Sequence, residues 1–480
     1  MRADEPDTVA MTPALPGPED LATTCLRWVA LLQLCLLAFG NGLQWVVFGI
    51  LVTQAKETFG ITSRQVNLLT TSYEIVFALF GPFILIMYRR LGLRAGLRCA
   101  SAFNAAGCLL RFVAVLWAPN FWCLLASQCC LGVTIIFTFP VAPMLSARWF
   151  ADTERTLATS VGSLSNAFGI AFGQLLPPLI VTPDDYSSGR WMLLFMVPCV
   201  FAAIDGTLIA VCIPDGPPTP PSLSEAARRQ QKRAALPAVN EETDIGGVSD
   251  DTSNAVVVGN PSLLLQLQEL LMIRPFVALV IAIGLFYGGQ WSVTALLAQL
   301  VQPMGISEAT VGAMGFTQMF VGSLLALPFA AWIDKRRVYQ APLAGIFIAC
   351  TLLYNVFTSV LLFQPPGMTT VAFGVYALLG VAQSLVLPLM LEYAVELTYP
   401  LDESLASLVL TWAANTLTVP LMFAVPAILG DSPTAGSSAV ALFSLAIACF
   451  AGALLIVVPN GVLRRVGFER AQAAPLLADP

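Results

Sequence analysis

With 480 residues, 57% of them hydrophobic and 11% charged, and a mean hydropathy of +0.79, the chain is far too apolar for a water-soluble globule and reads as an integral membrane protein. The net charge of −6 comes largely from the N-terminal tail and the central linker, and no basic patch with interleaved aromatics exists, so no nucleic-acid partner is expected. The complete absence of histidine removes HExxH metalloproteases, Ser-His hydrolase arrangements and His-dependent membrane acyltransferases, and leaves only Cys, Met or Tyr to ligate haem iron; neither an enzyme nor a cofactor is expected.

Residues 1–25 carry Asp4, Glu5, Asp7, Glu19 and Asp20 and lack a basic n-region with a small-residue cleavage site, so the apolar run that follows reads as a retained first helix behind a cytoplasmic tail. Six candidate spans follow at 26–54, 66–88, 95–118, 121–148, 157–182 and 190–213, most of them long enough for the ~20 residues a bilayer needs. Six more lie at 274–301, 308–333, 341–363, 369–397, 404–429 and 437–459. They delimit an N-terminal six-helix bundle over 26–213, a C-terminal one over 272–460 and a cytoplasmic tail over 461–480. Between the bundles, residues 214–271 break the apolar pattern with Pro214, a Pro-Pro-Thr-Pro-Pro stretch at 217–221, a basic cluster (Arg228, Arg229, Lys232, Arg233) and an acidic run (Glu241, Glu242, Asp244, Asp250, Asp251), the composition of a flexible cytoplasmic linker.

With the N-terminus placed in the cytoplasm, 19 of the 23 Lys and Arg fall in tails and loops on that side. Only Lys56, Arg64 and Arg190 lie outside and Arg111 within the third span, a bias that supports twelve helices with both ends inside. The eleven cysteines are scattered through apolar runs without a CxxC, and read as small packing residues. Glycine and proline interrupt several spans, as at Gly81-Pro82, Pro140, Pro143, Pro177-Pro178 and Pro388, breaks that a membrane protein tolerates and that packing alone accounts for at most positions.

The two halves carry traces of duplication. Gln-Trp occurs as Gln44-Trp45 and again, 246 residues later, as Gln290-Trp291. Asn41, Gln44 and Trp45 repeat the i, i+3, i+4 spacing of Tyr287, Gln290 and Trp291, so each trio is expected on one helix face. Thr156-Leu157-Ala158-Thr159 opens span five much as Ser404-Leu405-Ala406-Ser407 opens span eleven, 248 residues on. Parallel six-helix repeats are the signature of the major facilitator architecture, and matching faces on corresponding helices read as opposite walls of one central pathway. Trp28, Trp117, Trp122, Trp149 and Trp191 lie at span ends and fit an interfacial belt, whereas Trp45 and Trp291 lie near helix centres and fit a site. An aromatic pair on a cavity suits a bulky organic cation by cation–π attraction and equally suits a flat ligand by stacking.

Charge buried in lipid is costly, so Glu74, Arg111, Asp205, Glu392 and Glu396 are expected to face protein or water. Glu392 and Glu396, at i, i+4 near the inner end of span ten, are expected to latch the inner gate through Arg148 or the basic turns in preference to carrying protons. Glu74 and Arg111 lie on adjacent spans, where a buried pair is one arrangement open to them. The turn Arg89-Arg90-Leu91-Gly92-Leu93-Arg94 after span two is matched by Asp334-Lys335-Arg336-Arg337 after span eight.

Three stretches carry a family resemblance: Asn41-Gly42-Leu43-Gln44-Trp45; Arg148-Trp149-Phe150 followed by Glu154 and Gly173-Gln174-Leu175-Leu176-Pro177-Pro178; and Glu392-Tyr393-Ala394-Val395-Glu396-Leu397-Thr398-Tyr399-Pro400 with Glu403. In these the chain resembles the FLVCR-type major facilitators, the feline leukaemia virus subgroup C receptors and their relatives. The resemblance covers essentially the whole membrane region. It implies transport of choline and ethanolamine, of haem, or, as in one lysosomal branch, of a B6-type vitamin. By the same resemblance Trp45 falls on the first-span tryptophan of the family's choline site, and Trp291 falls where the receptor branch carries a tyrosine. Ala167 and Asn415 stand where choline-transporting members have glutamines, and Arg89 stands where the superfamily pattern has Asp, which Asp334 retains in the second half.

The expectation is therefore an all-α membrane protein of twelve transmembrane helices with the major facilitator fold, moving a small organic solute by alternating access and acting as a monomer. Asn41, Gln44, Trp45, Tyr287, Gln290, Trp291 and Asn415 are the expected solute-binding residues. Glu74, Arg111, Arg148, Asp205, Asp334, Glu392 and Glu396 are the expected gating or coupling residues, with no metal site. A choline- or ethanolamine-like cation is the first expected solute, haem the alternative, and a non-transporting receptor that kept the fold the second alternative. The plasma membrane is the expected location, with an endomembrane the other.

Overall fold

The structure is a computed structural model that describes residues 23–457 apart from 118–119, 139–140, 212–215, 222–224, 227–262, 337, 400 and 402. Residues 1–22 and 461–480 of the expected tails and most of the 214–271 linker thus lie outside the described residues, while the end of the expected flexible linker is a helix, Leu263–Met272, whose apolar run of leucines favours it. Described residues form helices throughout, joined by short turns, with a single isolated bridge between Thr182 and Asp185.

In chain order the first half contains α1 (Leu26–Ile50), α2 (Ser63–Phe83), α3 (Gly92–Leu116), α4 (Phe121–Thr138, followed by Val141–Trp149), α5 (Asp152–Ile180) and α6 (Ser188–Val211). The second contains α7 (Arg274–Val301), α8 (Glu308–Arg336), α9 (Gln340–Phe363), α10 (Met368–Ser384 and Val386–Thr398), α11 (Glu403–Leu429) and α12 (Ala435–Val457). Among the described residues eleven helices are long and apolar enough to cross a bilayer. The other, α5, is diluted by polar and small residues such as Thr159, Ser160, Gly162, Ser163, Ser165 and Asn166, yet at 29 residues it is long enough to span.

Local chemistry sets the helix ends. Thr62 caps α2 in a capping box, its hydroxyl accepting from the Gln65 N–H while Gln65 Oε1 accepts from the Thr62 N–H at 2.8 Å. Gly92, at φ 81°, makes the turn between α2 and α3, a conformation that a side chain resists. In α10 the helix breaks after Ser384, four residues before Pro388, which cannot donate to that carbonyl. No proline explains the interruptions of α1 at Val46 and Leu51; they flank Gly49, where a Cβ would fall 2.2 Å from Ala295 O of α7.

The halves meet chiefly along three helix pairs. In addition to Gly49 against α7, α5 packs on α8 through Phe168 against Phe320 and Phe172 against Phe316, both at 5.2 Å. Helix α2 packs on α11 where Trp412 Nε1 donates to Ala78 O at 3.0 Å. Call the end away from Leu26 the outer end. There Gln54 donates to Glu308 at 2.6 Å, Gln299 and Asn67 bond reciprocally at 2.6 and 3.5 Å, and exposed Arg64 faces Asp431 at 3.6 Å. These contacts close the outer end in this state.

Two tryptophans depart from the interfacial-belt expectation. Trp28, Trp117 and Trp122 are exposed, but Trp149 and Trp191 are fully buried. Trp191 stacks on Phe48 and donates its indole N–H to Thr58 Oγ1 at 3.0 Å, so the outer extension Val52–Phe59 folds over it. The indole has its partner inside the protein and does not need the headgroup layer.

Candidate functional site

A cavity of about 80 Å³ lies between the halves, bordered by α1, α2, α4, α5, α7 and α11. Its walls are Asn41, Gly42, Trp45, Tyr73, Glu74, Phe77, Ile135, Asn166, Ile170, Trp291 and Asn415. At 10–15 Å³ per water in this measure, that is room for roughly half a dozen waters, or for a solute of a few non-hydrogen atoms.

The two repeat tryptophans meet in person. Trp45 and Trp291 pack edge to face with ring centroids 5.2 Å apart, which joins the halves at the head of the cavity. Trp45 is tied by its indole N–H to Thr70 O at 3.2 Å, and Trp291 is backed by Tyr287, stacked at 5.9 Å and 14°. Both rings are held from behind, so their cavity-side surfaces are set before any solute arrives.

The polar groups around them are mostly acceptors. Asn41 donates its amide to Leu131 O, Asn166 to Ala38 O and Asn415 to Thr411 O, at 2.9, 3.1 and 2.8 Å. Each amide nitrogen thereby gives one of its two hydrogens to backbone, and each amide keeps its oxygen as a further acceptor. The Tyr73 hydroxyl is buried without a partner, and Glu74 supplies the carboxylate of the lining. Among the described residues no Lys or Arg borders the cavity.

Of the seven expected binding residues, Asn41, Trp45, Trp291 and Asn415 line this cavity, Tyr287 stands behind Trp291, and Gln44 and Gln290 are buried elsewhere. Helix geometry explains the division: at 100° per residue, Gln44 and Trp45 point 100° apart, with Asn41 between them. Gln44 turns into the first bundle, donating to Gly40 O at 3.0 Å and accepting from Cys108 Sγ at 3.4 Å. Gln290 is buried with its Oε1 unpartnered.

The expected coupling residues separate likewise. Glu74 borders the cavity, whereas Arg111 is buried in the first bundle, donating to Gln44 O at 2.8 Å and Gln128 Oε1 at 2.7 Å beneath Phe48 and Phe195. The open question of a Glu74–Arg111 pair is answered by those two bonds, which turn Arg111 toward α1 and α4. Asp205, fully buried, accepts from Gln33 Nε2 at 2.5 Å inside the bundle wall. At the inner end of α10 Glu392 is exposed and Glu396 buried, so the pair does not share one environment; Arg148 is half-buried, and the Asp334 side chain lies outside the described ones.

Tyr73, Phe77, Ile135, Asn166 and Ile170 are lining residues that sequence reasoning passes over. Asn166 carried a signal, an amide within a predicted span and next to Ala167, the position singled out by the family resemblance. The aromatic and aliphatic members carried none, since such residues are ordinary core in any span.

Comparison with known proteins bears on this arrangement. The family model described as Major Facilitator Superfamily matches residues 34–404. The choline/ethanolamine transporter flvcr2a of Danio rerio is 26% identical over 81% of this chain and 77% of its own length. The choline/ethanolamine transporter FLVCR1 of Felis catus is 25% identical over 95% of this chain and 76% of its own. Among solved structures, the D-xylose-proton symporter superposes with a TM-score of 0.64 at 13% identity, over 91% of this chain and 97% of the other. A bacterial homologue of the human lysosomal transporter Spinster gives 0.62 at 14%, over 91% and 96%, so both share the fold.

Proposed function

Because the chain belongs to the Major Facilitator Superfamily, in the branch of the FLVCR-type transporters, and is a multi-pass membrane transporter, we propose that the solute it moves is a small organic cation of the choline or ethanolamine type. The observation that carries the reading is the cavity lining: two indoles, three Asn amides and one carboxylate, with no basic side chain among the described residues. Indole faces attract a cation by about 0.5–2 kcal/mol each according to desolvation. The amide oxygens accept from a hydroxyl or ammonium group, and a carboxylate in low dielectric repels anions. Haem carries two propionates, for which this lining offers no basic partner among the described residues. The two relatives named for choline and ethanolamine transport support the same solute class.

In this reading Asn41, Trp45, Trp291 and Asn415 hold the solute, with Tyr287 positioning Trp291. Gln44 and Gln290 support the helices that carry the rings. Alternating access then separates Trp45 from Trp291, since the two belong to different bundles. Arg148, Glu392 and Glu396 serve the inner closure, the first bundle ends at 213 and the second begins at 272, and a monomer in the plasma membrane is the working form.

The test is uptake of labelled choline and ethanolamine by cells expressing the protein, Trp45→Ala or Trp291→Ala. Loss of a cation–π contact from a desolvated site raises the half-saturating concentration about tenfold or more per ring. Undiminished uptake in both variants, at equal surface expression, would sink the reading.

A further inference from the structure

Glu74 sits near the middle of α2, twelfth of the 21 residues in Ser63–Phe83, and borders the cavity beside Trp45, Trp291 and Asn415. No hydrogen bond or ion pair from protein meets its carboxylate among the described residues. The polar groups that share the lining with it are amides, the Trp45 indole whose N–H is given to Thr70 O, and the phenol of Tyr73. Arg111, the cation of the adjacent helix, is directed at Gln44 and Gln128, and Tyr287 of α7 is screened behind Trp291. A carboxylate in mid-membrane without a protein counter-charge has two ways to become neutral: to take a proton or to hold a cation.

We propose that Glu74 makes solute and proton compete for one seat, so that the protein exchanges one organic cation for one proton without net charge movement. The inference rests on the cation reading above. Binding of the cation against Glu74 expels the carboxyl proton to the water of the cavity, and departure of the cation lets a proton return to the same oxygen. In both forms the cavity is neutral when the bundles rock. An empty carrier with an ionised Glu74 carries an unpaired charge through the closed state and is held back, because burying it costs several kcal/mol. Downhill proton flow in one direction therefore drives the cation in the other.

The test uses the purified full-length protein in detergent and in liposomes. Choline is titrated by quenching of tryptophan fluorescence between pH 5 and 8, and protons are followed with an entrapped pH dye during choline transport. One-for-one competition predicts a dissociation constant that rises tenfold for each pH unit below the pKa of Glu74, with protons leaving as choline enters. Glu74→Gln is expected to bind choline at least tenfold more weakly with no pH slope and no proton movement, and Glu74→Asp to keep the slope. A flat wild-type profile, or an unchanged slope in Glu74→Gln, overturns the proposal while the cation reading stands. If wild-type protein binds no choline at any pH, the cation reading fails instead. Infrared difference spectra without solute then decide the proton half: a carboxylic-acid band that titrates in wild type and vanishes in Glu74→Gln upholds it, and the same band in both proteins overturns it.

Discussion

Gln44 and Trp45 are neighbours in sequence and opposites in environment. The first serves the interior of the bundle, where its amide bonds Gly40 and Cys108 and its backbone carbonyl receives Arg111; the second faces the cavity. Replacing Gln44 by Leu leaves polar groups of the bundle unpaired, at about 1–3 kcal/mol. Gln44→Leu should lower the melting temperature in detergent while changing choline affinity less than threefold. Asn41→Leu also gives up a buried bond, to Leu131 O, but it removes an acceptor from the cavity lining and should in addition weaken choline binding about tenfold. Equal effects of the two on affinity would return Gln44 to the site. This division marks how far a lone sequence reaches. Recurrence of Gln-Trp identifies the helices and the depth of the site, and Asn415 and Glu74 stand out as polar groups in apolar runs. Which flank of a helix faces the cavity depends on how its neighbours dock, and an i, i+3, i+4 trio spans 100°, wide enough to straddle two environments. For the same reason Tyr73 and Ile170 are indistinguishable from core until the helices are assembled.

At the scale of elements, the contact of α1 with α7 is a backbone-to-backbone approach that only glycine permits. A methyl group at Gly49 falls 2.2 Å from Ala295 O, and one at Gly312 of α8 falls 2.7 Å from Gln174 O of α5. Neither partner is a flexible side-chain tip, so relief requires the helices to separate. Both positions lie in the outer half, where separation means opening toward the outside. Gly49→Ala and Gly312→Ala should therefore favour the outward-open form. A cysteine placed at Gln299, whose side chain is buried in the outer closure, reports this through a membrane-impermeant maleimide. Its labelling from outside should rise at least fivefold in either glycine variant, and unchanged labelling would show that the helices absorb the methyl without parting. The helices themselves are largely legible from hydropathy and proline, down to the break of α10 four residues before Pro388. The interruptions of α1 are not, since no proline marks them, and the close approach of Gly49 is to Ala295 of α7, 246 residues away.

For the whole molecule, transport requires that the closure at the outer end be breakable on the timescale of turnover. Its components fit that demand. Gln54–Glu308 and Asn67–Gln299 are hydrogen bonds between helices of different bundles, each contributing about 0.5–3 kcal/mol, and the exposed Arg64–Asp431 pair adds little. A sum of a few such terms sets an equilibrium that solute binding can tip, since moving a two-state population from 1:99 to 99:1 takes about 5.5 kcal/mol of differential binding. Making the closure permanent separates binding from transport. The double variant Asn67→Cys/Gln299→Cys, joined by a short bifunctional thiol reagent, should lose exchange of labelled choline across proteoliposomes by more than 90%, and a reducible cross-linker should allow full recovery. Choline binding to the locked protein in detergent should survive, because the cavity lies on the inner side of the Trp45–Trp291 contact and the lock leaves that side untouched. If the locked protein still exchanges choline, the outer closure is not on the solute's route and the rocking of two bundles about the tryptophan pair is the wrong description. If it loses binding as well, the cavity is loaded from the outer side, and Trp45 and Trp291 act as the entrance of the site and not as its far wall.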